Sequence, residues 1–346
     1  MSTHPLVSVV VPCRNEERHI AQCLDSILAC DFPQDRLEIL VVDGCSDDGT
    51  RAILARYAER YARIHVLDNP KRITPTALNI GVLAARGEII MRMDAHVIYP
   101  ASYISQLVGA LEETGADNVG GIIATLPGDD SATARAIAVG LSHPLGVGNS
   151  YFRVGSRERR WTDAVSFGCY RRQVFERIGL FDEELVRNQD DEFDLRLIKH
   201  GGRVLLLPEV VSQYYARRSL RQVARMFYQY GYFKPLVAKK LGRIMTFRQL
   251  VPALFLLSLA ASALTALWWP PAARVGAGIL GLYASLVLGC ALASVRAHGV
   301  GPAAVLVTVF PVLHVSYGVG FLRGVVDHVF GWRRSPRDAA AISLSR

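Results

Sequence analysis

The segment GEIIMRMDAHVIYP, residues 87–100, decides the fold of this chain. The part that reads EIIMRMD follows a glycine and is mostly apolar, which predicts a short buried strand. This strand ends in Asp94 and His96, two polar side chains separated by one residue. A turn would explain such an ending, and so would a metal site. The choice between them depends on how the other strands end.

Three further apolar runs precede this segment, and a helical pattern follows each of them. The four predicted strands are LVSVVVP (6–12), LEILVVDG (37–44), IHVLDN (64–69) and EIIMRMD (88–94). The helical patterns are EERHIAQCLDSIL (16–28), DDGTRAILARYAERYA (47–62) and TPTALNIGVLAARG (74–87). This alternation predicts an α/β fold with a mostly parallel open sheet and helices on both of its faces.

Polar or charged residues follow each of the four strands. These strand ends are 12–16, 43–48, 68–72 and 94–96. In an open parallel sheet, ligands bind beyond the carboxyl ends of the strands. The repetition at every strand end therefore favours a binding site over a chance turn.

The first two strand ends suggest how a nucleotide could be held. Neither a GxGxxG loop nor a phosphate-binding P-loop follows the first strand, which runs into PCRNEE instead. Carboxylates remain as possible contacts: Asp43 with a base or ribose, and Glu16 with ribose hydroxyls. Each carboxylate, taken alone, also fits an ordinary turn or helix cap.

Asp94 and His96 point to a metal in a different way. Residues i and i+2 of an extended segment face the same side, so a carboxylate oxygen and an imidazole would converge. Such a pair suits a divalent cation that carries a diphosphate.

A second polar cluster lies at NQDDEFDLRL, residues 188–197. It places the four carboxylates Asp190, Asp191, Glu192 and Asp194 within five residues. Like charges this close raise one another's pKa unless they are countered, which predicts that at least one is paired or catalytic. The alternative is a solvated acidic helix start, because acidic side chains favour the helix dipole there.

The last hundred residues are strongly apolar. Runs at about 250–269, 275–295 and 303–322 contain no acidic or basic side chain except His314, and each approaches the roughly 20 residues that span a bilayer. Before them, SLRQVARMFYQYGYFKPLVAKKL (219–241) is amphipathic and predicts a helix in the membrane interface. A helix packed on the protein core is the alternative.

Together these patterns predict four regions. They are a catalytic domain at 1–215, an amphipathic interface helix at 216–245, a transmembrane region at 246–325 and a basic tail at 326–346.

The charge distribution agrees with a membrane protein. The chain of 346 residues has 39 basic and 31 acidic side chains, a net charge of +8. The basic residues flank the apolar runs, so an anionic membrane surface is the expected partner and nucleic acid is not. Three spans would put the basic tail outside if the first domain is cytosolic, whereas basic segments tend to stay in the cytosol. The number and direction of the spans therefore stay open.

The ordered motifs resemble family 2 glycosyltransferases of the GT-A fold. The resemblance covers about residues 5–235 and rests on four stretches. They are VSVVVPCRNEERHIAQCLDSIL, EILVVDGCSDDGT, NPKRITPTALNIGVLAARGEIIMRMDAH and NQDDEFDLRL. Within the family, the DAH variant, the GVGNSYFR segment and the apolar tail look most like the ExoA-type enzymes of succinoglycan and related exopolysaccharide assembly.

This resemblance implies an inverting transfer from a nucleotide sugar, usually a UDP-sugar, with Mn²⁺ or Mg²⁺ on its diphosphate. The apolar tail would place the site where a lipid-linked saccharide acceptor presents its hydroxyl. The expected location is the bacterial inner membrane, with the catalytic domain facing the cytoplasm. The matching nucleotide-sugar positions are Pro12, Arg14, Asn15 and Glu16 in the first loop, Asp43 at the base, Arg72 and Asn79 near the diphosphate and sugar, and Asp94.

The resemblance also assigns the metal and the base. Asp94 matches the first acid of the family's DxD motif, and His96 stands where the second acid usually is. Asp190 matches the general base, with Arg196 six residues later. Gln189 replaces the acid that normally precedes the base, so Asp191 is the alternative base.

Two other activities and one inactive class remain as alternatives. A processive polysaccharide synthase normally carries a QxxRW signature, where this chain has RMFYQYG. A sugar nucleotidyltransferase would use a similar sheet to form a sugar nucleotide instead of consuming one. A catalytically silent membrane-anchored module would not need Asp94, His96 and Asp190.

Overall fold

The computed structural model describes residues 4–242 and 246–331 and divides them into two compact units. The first unit runs to Ala124 and resumes over Ser150–Tyr215. The second unit combines Thr125–Asn149 with the described residues from Ala216 onward. The predicted tail at 326–346 lies outside the described residues beyond position 331.

The described residues contain nine strands that form one sheet. The strands are β1 (Val7–Cys13), β2 (Leu37–Asp43), β3 (Ile64–Asp68), β4 (Ile89–Arg92), β5 (Val97–Ile98), β6 (Asn118–Leu126), β7 (Arg160–Trp161), β8 (Ser166–Arg171) and β9 (Val204–Tyr215). Their order is β3-β2-β1-β4-β8-β6-β9-β5, and β7 pairs with β9.

The sheet is parallel in its first half and mixed as a whole. β1 pairs in parallel with β2 and β4, and β2 pairs in parallel with β3. β8 then runs antiparallel to both β4 and β6, while β5 and β7 run antiparallel to β9. The four strands predicted from the sequence are thus confirmed. In the register of β1 and β2, Cys13 aligns with Asp43, so the first two polar strand ends meet at one edge.

Helices flank the sheet in the first unit and make up most of the second. Those of the first unit are α1 (Ile20–Leu28), α2 (Thr50–Arg60), α3 (Thr74–Ala84), α4 (Tyr103–Thr114), α7 (Tyr151–Val154), α8 (Arg172–Ile178) and α9 (Gln189–Lys199). Those of the second are α5 (Ala132–Ser142), α6 (Pro144–Val147), α10 (Leu220–Leu241), α11 (Val251–Thr265), α12 (Pro271–His298) and α13 (Val300–Gly324). A π-helical turn, Val325–Val329, continues α13.

An aromatic core fixes the position of α9. Phe193 is fully buried, its ring lies 4.4 Å from Phe181 between centroids, and Tyr170 of β8 meets it edge-on at 5.4 Å. Such pairs add to the stabilisation that burial alone gives. The first turn of α9, which carries the acidic cluster, is therefore held on a rigid base.

Two helices of the described chain are long and apolar enough to cross a membrane. α12 has 28 residues, and α13 with its π turn spans 30 residues over Val300–Val329. At 1.5 Å per residue both exceed the roughly 30 Å hydrocarbon core. α11, the first of the three expected apolar runs, forms only 15 helical residues.

The amphipathic helix α10 packs closely on α13. A Cβ atom at Gly320 would lie 2.1 Å from the carbonyl oxygen of Tyr228, and one at Gly324 would lie 2.2 Å from that of Tyr232. On α10, Gly231 makes the reciprocal approach, at 2.1 Å from the carbonyl oxygen of Tyr317. Small residues permit such backbone contact between apolar helices. Much of the apolar face of α10 is therefore covered within the second unit.

Candidate active site

The loops after β1 and β2 hold each other at the carboxyl edge of the sheet. The Asn15 amide donates to Asp47 over 2.7 Å, and the Asp47 N–H donates back to the Asn15 side-chain oxygen over 3.0 Å. The Asn15 N–H donates to the Ser46 hydroxyl at 2.8 Å. The two loops also approach closely at Gly44, where a Cβ atom would lie 3.2 Å from the Arg14 side chain. The predicted nucleotide loop, which includes Pro12, thus forms one double loop with residues 43–48.

Asp43 lies fully buried beneath this double loop. It accepts the Ser46 hydroxyl at 2.5 Å and the Ser46 N–H at 3.1 Å, while Arg51 Nη1 lies 3.4 Å away. Arg51 also bonds Asp68 over 2.7 Å, and these two carboxylates, Asp68 foremost, raise the pKa of Arg51. The carboxylate of Asp43 therefore organises its own loop in the structure as it stands.

Arg92 joins Asp94 to Asp190. From the end of β4, its Nε and Nη2 donate to Asp94 Oδ1 over 3.2 and 3.1 Å, and its Nη1 donates to Asp190 Oδ2 over 3.0 Å. Burial disfavours the charge on Arg92, but Asp94 and then Asp190 outweigh that effect and raise its pKa. One buried guanidinium thus connects the predicted metal ligand with the predicted base.

His96 lies beside Glu16. Its Nδ1 is 3.3 Å from Glu16 Oε1, and its ring centroid is 5.4 Å from that of Tyr214 on β9. The Nδ1 atom is buried and makes no hydrogen bond within the described residues. Arg153 of α7 lies on the same ring of Tyr214, at 5.5 Å from its centroid. The structure therefore brings His96 and a cationic side chain to one aromatic ring, with Glu16 on the other side of the contact made by His96 Nδ1.

The hydroxyl of Tyr99 holds the turn between Asp94 and His96. It accepts the Asp94 N–H over 2.6 Å and donates to the Asp94 carbonyl oxygen over 3.3 Å. Cys23 Sγ also contacts that oxygen, at 3.4 Å, and burial raises the pKa of this thiol.

Arg72 and Asn79 have different surroundings. Arg72 is exposed, has a positive φ of 58° and donates its backbone N–H to the Asn69 carbonyl over 3.1 Å. Asn79 is buried, and its amide exchanges two 2.9 Å bonds with the backbone of Phe181. Asn79 also donates to Glu183 at 3.2 Å, so its polar atoms secure the segment that leads to α9.

The four acidic residues at the start of α9 separate into distinct environments. Glu192 pairs with Arg196, Nε to Oε1, over 2.8 Å. Asp194 is buried and accepts Asn118 at 2.7 Å and the Val165 N–H at 3.1 Å. Burial is the main reason why its pKa is raised. The Asp191 N–H donates to Asp190 Oδ1 over 2.9 Å, and Asp190 Oδ2 accepts from Arg92 Nη1 over 3.0 Å.

Sequence reasoning missed Arg92. The signal was present, because an arginine within the apolar run IIMRM would be buried, and arginine is rarely buried without a partner. Its position two residues before Asp94 indicated one possible partner, on the same face of the strand.

Asp94 and His96 fit a divalent cation only together with a substrate. Within residues 4–242 and 246–331, no cluster of three His, Cys, Asp or Glu side chains could hold a metal alone. Asp94 offers hard oxygens, and His96 offers a buried nitrogen without a hydrogen bond. The Asp94 oxygens suit Mn²⁺ or Mg²⁺ when diphosphate oxygens complete the coordination, with His96 as an additional nitrogen donor.

Comparisons with known proteins identify the family of this chain. The family model described as glycosyl transferase family 2 matches residues 8–179. Succinoglycan biosynthesis protein ExoA of Rhizobium meliloti is 32% identical over 94% of this chain and 98% of its own. A Methanococcus voltae glucuronosyltransferase, named for a dolichyl N-acetylglucosaminyl phosphate, is 30% identical over 68% of this chain and 74% of its own. The chain therefore belongs to glycosyl transferase family 2 and is a glycosyltransferase.

Solved structures confirm the fold class. The mannosyltransferase PcManGT of Pyrobaculum calidifontis, solved with GDP-mannose and Mn²⁺, has a TM-score of 0.58 and 22% identity, covering 96% of this chain and 89% of its own. Staphylococcus aureus TarS 1-349 with UDP-GlcNAc has a TM-score of 0.51 and 18% identity, covering 87% of this chain and 90% of its own. The catalytic sheet is of the GT-A type, as expected.

Proposed function

We propose that the protein is a membrane-anchored inverting glycosyltransferase. It would move one sugar from a nucleotide sugar, most simply a UDP-sugar, to a hydroxyl of a lipid-linked saccharide during exopolysaccharide or cell-surface glycan synthesis. The observation that carries this proposal is the placement of Asp94 and Asp190 on one guanidinium, that of Arg92, beside the nucleotide loops. ExoA, by its name, serves succinoglycan synthesis, and the Methanococcus relative is named for a dolichyl-linked sugar.

Asp190 is the proposed base. Its side chain is 35% exposed, so an acceptor hydroxyl can reach it. The proton of that hydroxyl passes to the Asp190 carboxylate as the oxygen bonds to the anomeric carbon and the bond to the diphosphate breaks. One displacement without a covalent intermediate inverts the configuration. Asp191 is the alternative base, one residue further along α9.

Asp94 and His96 are the proposed ligands of Mn²⁺ or Mg²⁺. Such an ion, when bound, would offset the charge that develops on the leaving diphosphate. The double loop of Pro12, Arg14, Asn15, Glu16 and Asp43 would hold the nucleoside.

Arg72 and Asn79 have separate proposed roles. Arg72 is exposed and available to the diphosphate. Asn79 would act through the segment that it secures, because its amide is already engaged with Phe181 and Glu183.

The membrane part of the proposal rests on α12 and α13. Both are long and apolar enough to span a bilayer, and a lipid-linked acceptor is confined to that membrane. We place the protein in the bacterial inner membrane with its catalytic unit in the cytoplasm. With these two spans, both basic flanks lie on the same side of the membrane, and the positive-inside tendency makes that side the cytoplasm.

The full chain in detergent, screened with nucleotide sugars and Mn²⁺ or Mg²⁺, tests the proposal. With the donor identified by thermal shift, we expect Asp190→Asn to lower turnover about 1,000-fold with UDP binding kept, because a positioned base contributes about 10²–10⁴-fold. Asp191→Asn is the matched control and should stay active. An inactive Asp191→Asn beside an active Asp190→Asn would identify Asp191 as the base. Full activity in both variants would refute a base in this cluster.

Asp94→Ala tests the metal assignment separately. We expect it to weaken the Mn²⁺-dependent part of UDP binding, measured by calorimetry. Equal UDP affinity for Asp94→Ala and the wild type in Mn²⁺ would refute Asp94 as a metal ligand.

A further inference from the structure

Arg92 is buried at the end of β4 and uses all three of its guanidinium nitrogens on the two carboxylates. It is only 8% exposed. Nε and Nη2 face Asp94, where Nη2 reaches Oδ1 at 3.1 Å and Oδ2 at 3.3 Å, while Nη1 faces Asp190 Oδ2 at 3.0 Å. The two carboxylates, at positions 94 and 190, are far apart in the chain. No local turn holds them together.

The planar guanidinium of Arg92 fixes the orientation of the two carboxylates that it binds. A guanidinium presents its donors in a rigid fork, so two carboxylates bound on different edges are fixed in orientation as well as in distance. The backbone of Arg92 is equally fixed, because it pairs with Val10 in the parallel register of β1 and β4. An ammonium group is a point charge with rotatable donors and cannot impose the same geometry.

We propose that Arg92 is a positioning residue that sets the relation between the carboxylate on the leaving-group side and the base. This inference rests on the proposed function, in which Asp94 serves the leaving diphosphate and Asp190 the attacking hydroxyl. The two reacting atoms must line up on opposite sides of one carbon. Arg92 fixes that separation by holding both carboxylates from a central strand of the sheet.

This role has a consequence that a purely structural arginine would not have. Arg92 places a positive charge against Asp94, where a cation bound with the diphosphate would also sit. Its removal relieves repulsion of that cation, so binding of UDP with Mn²⁺ should be kept or tightened. Turnover should fall, because misplacement of reacting groups by about 1 Å can cost about 100-fold.

The experiment compares Arg92→Met and Arg92→Lys with the wild type, using the full chain in detergent micelles. Calorimetry with UDP and Mn²⁺ measures binding without any turnover. Formation of UDP from UDP-glucose, UDP-galactose and UDP-N-acetylglucosamine, with a bacterial lipid extract supplying acceptors, measures turnover. The matched control is Arg86→Met, which removes a 2.9 Å pair with Glu38 elsewhere in the first unit.

We expect both Arg92 variants to lose about 100-fold in kcat, while the Kd for UDP with Mn²⁺ stays at the wild-type value or falls. Arg86→Met should change neither value. A lysine variant with near wild-type kcat would overturn the inference, because charge alone would then suffice. A parallel loss of kcat and UDP affinity would also overturn it, since Arg92 would then be structural. If Arg92→Met fails to fold, the kcat and the Kd of Arg92→Lys alone decide whether the inference stands.

Asp190→Asn, assayed in parallel, separates this inference from the proposed function. Retained turnover in that variant refutes Asp190 as base. A dead Asp190→Asn beside an active Arg92→Lys refutes only the positioning role.

Discussion

The Tyr99 hydroxyl accepts the backbone N–H of Asp94 over 2.6 Å and donates to the carbonyl oxygen of the same residue over 3.3 Å. Both bonds close the turn that carries the proposed metal ligands. The backbone of Asp94 is thus held by a side chain that lies outside the DAH motif.

Tyr99→Phe should therefore weaken Mn²⁺-dependent UDP binding. The Asp94 N–H loses its acceptor, a loss that costs about 1–3 kcal/mol where no water replaces it. Calorimetry with UDP and Mn²⁺ measures the change. Tyr103→Phe is the control, because that hydroxyl donates to the Phe167 carbonyl over 3.0 Å and its ring packs 4.7 Å from Tyr99. Equal losses of affinity in the two variants would mean that only general packing was disturbed.

Asn79→Ala should destabilise the segment before α9. It removes two 2.9 Å bonds with the Phe181 backbone and leaves buried polar groups unsatisfied, at a cost of about 1–3 kcal/mol. We expect a lower unfolding temperature and slower turnover. Lys71→Met breaks the more exposed 2.6 Å pair with Glu183 and should cost at most about 1 kcal/mol. A larger drop in unfolding temperature for Lys71→Met than for Asn79→Ala would contradict this prediction.

Glu38 should make stability depend on pH in the acid range. Burial alone would raise its pKa, but bonds from Ser8 and Arg86 outweigh burial and lower the pKa below the ordinary value of 4.5. A carboxyl whose pKa is lower in the folded state stabilises the fold above its unfolded pKa. That stabilisation is lost as pH falls through the folded pKa. The difference in unfolding temperature between wild type and Glu38→Gln should thus be full at pH 7 and shrink below about pH 4.5.

Glu88→Gln is the control for the pH experiment, because the side chain of Glu88 is exposed. It should match the wild type at every pH. A difference for Glu38→Gln that stays constant from pH 7 into the acid range would exclude the proposed linkage.

Gly320→Ala should destabilise the helical unit. The added methyl group would lie 2.1 Å from the Tyr228 carbonyl oxygen, and such overpacking costs about 1–3 kcal/mol. Thermal unfolding of the full chain in detergent measures the effect. Gly281→Ala is the matched change on α12, where a Cβ atom meets open space, and it should be neutral or slightly stabilising. Equal unfolding temperatures for wild type and Gly320→Ala would show that the helices adjust.

The parallel half of the sheet could be predicted because its strands are local apolar runs separated by helical patterns. The antiparallel pairings could not be predicted, because β5 and β7 have two residues each and the partners of β5, β7 and β8 lie far away in the chain. Arg92 carried a readable signal as a charge inside a buried strand, yet its contact with Asp190 depends on where α9 packs. The approach of His96 to Glu16 is likewise a long-range result of the fold.

The apolar tail was predicted as three runs, and the described residues contain two helices of spanning length. α11 ends at Thr265, before the sequence ALWWPP, whose prolines cannot continue a regular helix. α13 extends beyond the predicted limits because Val300 and Gly301 precede Pro302 within its first turn, a place where proline is tolerated.

The second compact unit is built from two separated stretches of sequence, Thr125–Asn149 and the residues from Ala216 onward. Their helices fit closely, since a Cβ atom at Gly140 of α5 would lie 2.7 Å from the Val309 side chain of α13. A recombination breakpoint that falls between the two stretches would therefore join α5 from one parent to α13 from the other. Viable chimaeras should exchange both stretches together, which makes the pair one inherited block despite its division in the sequence.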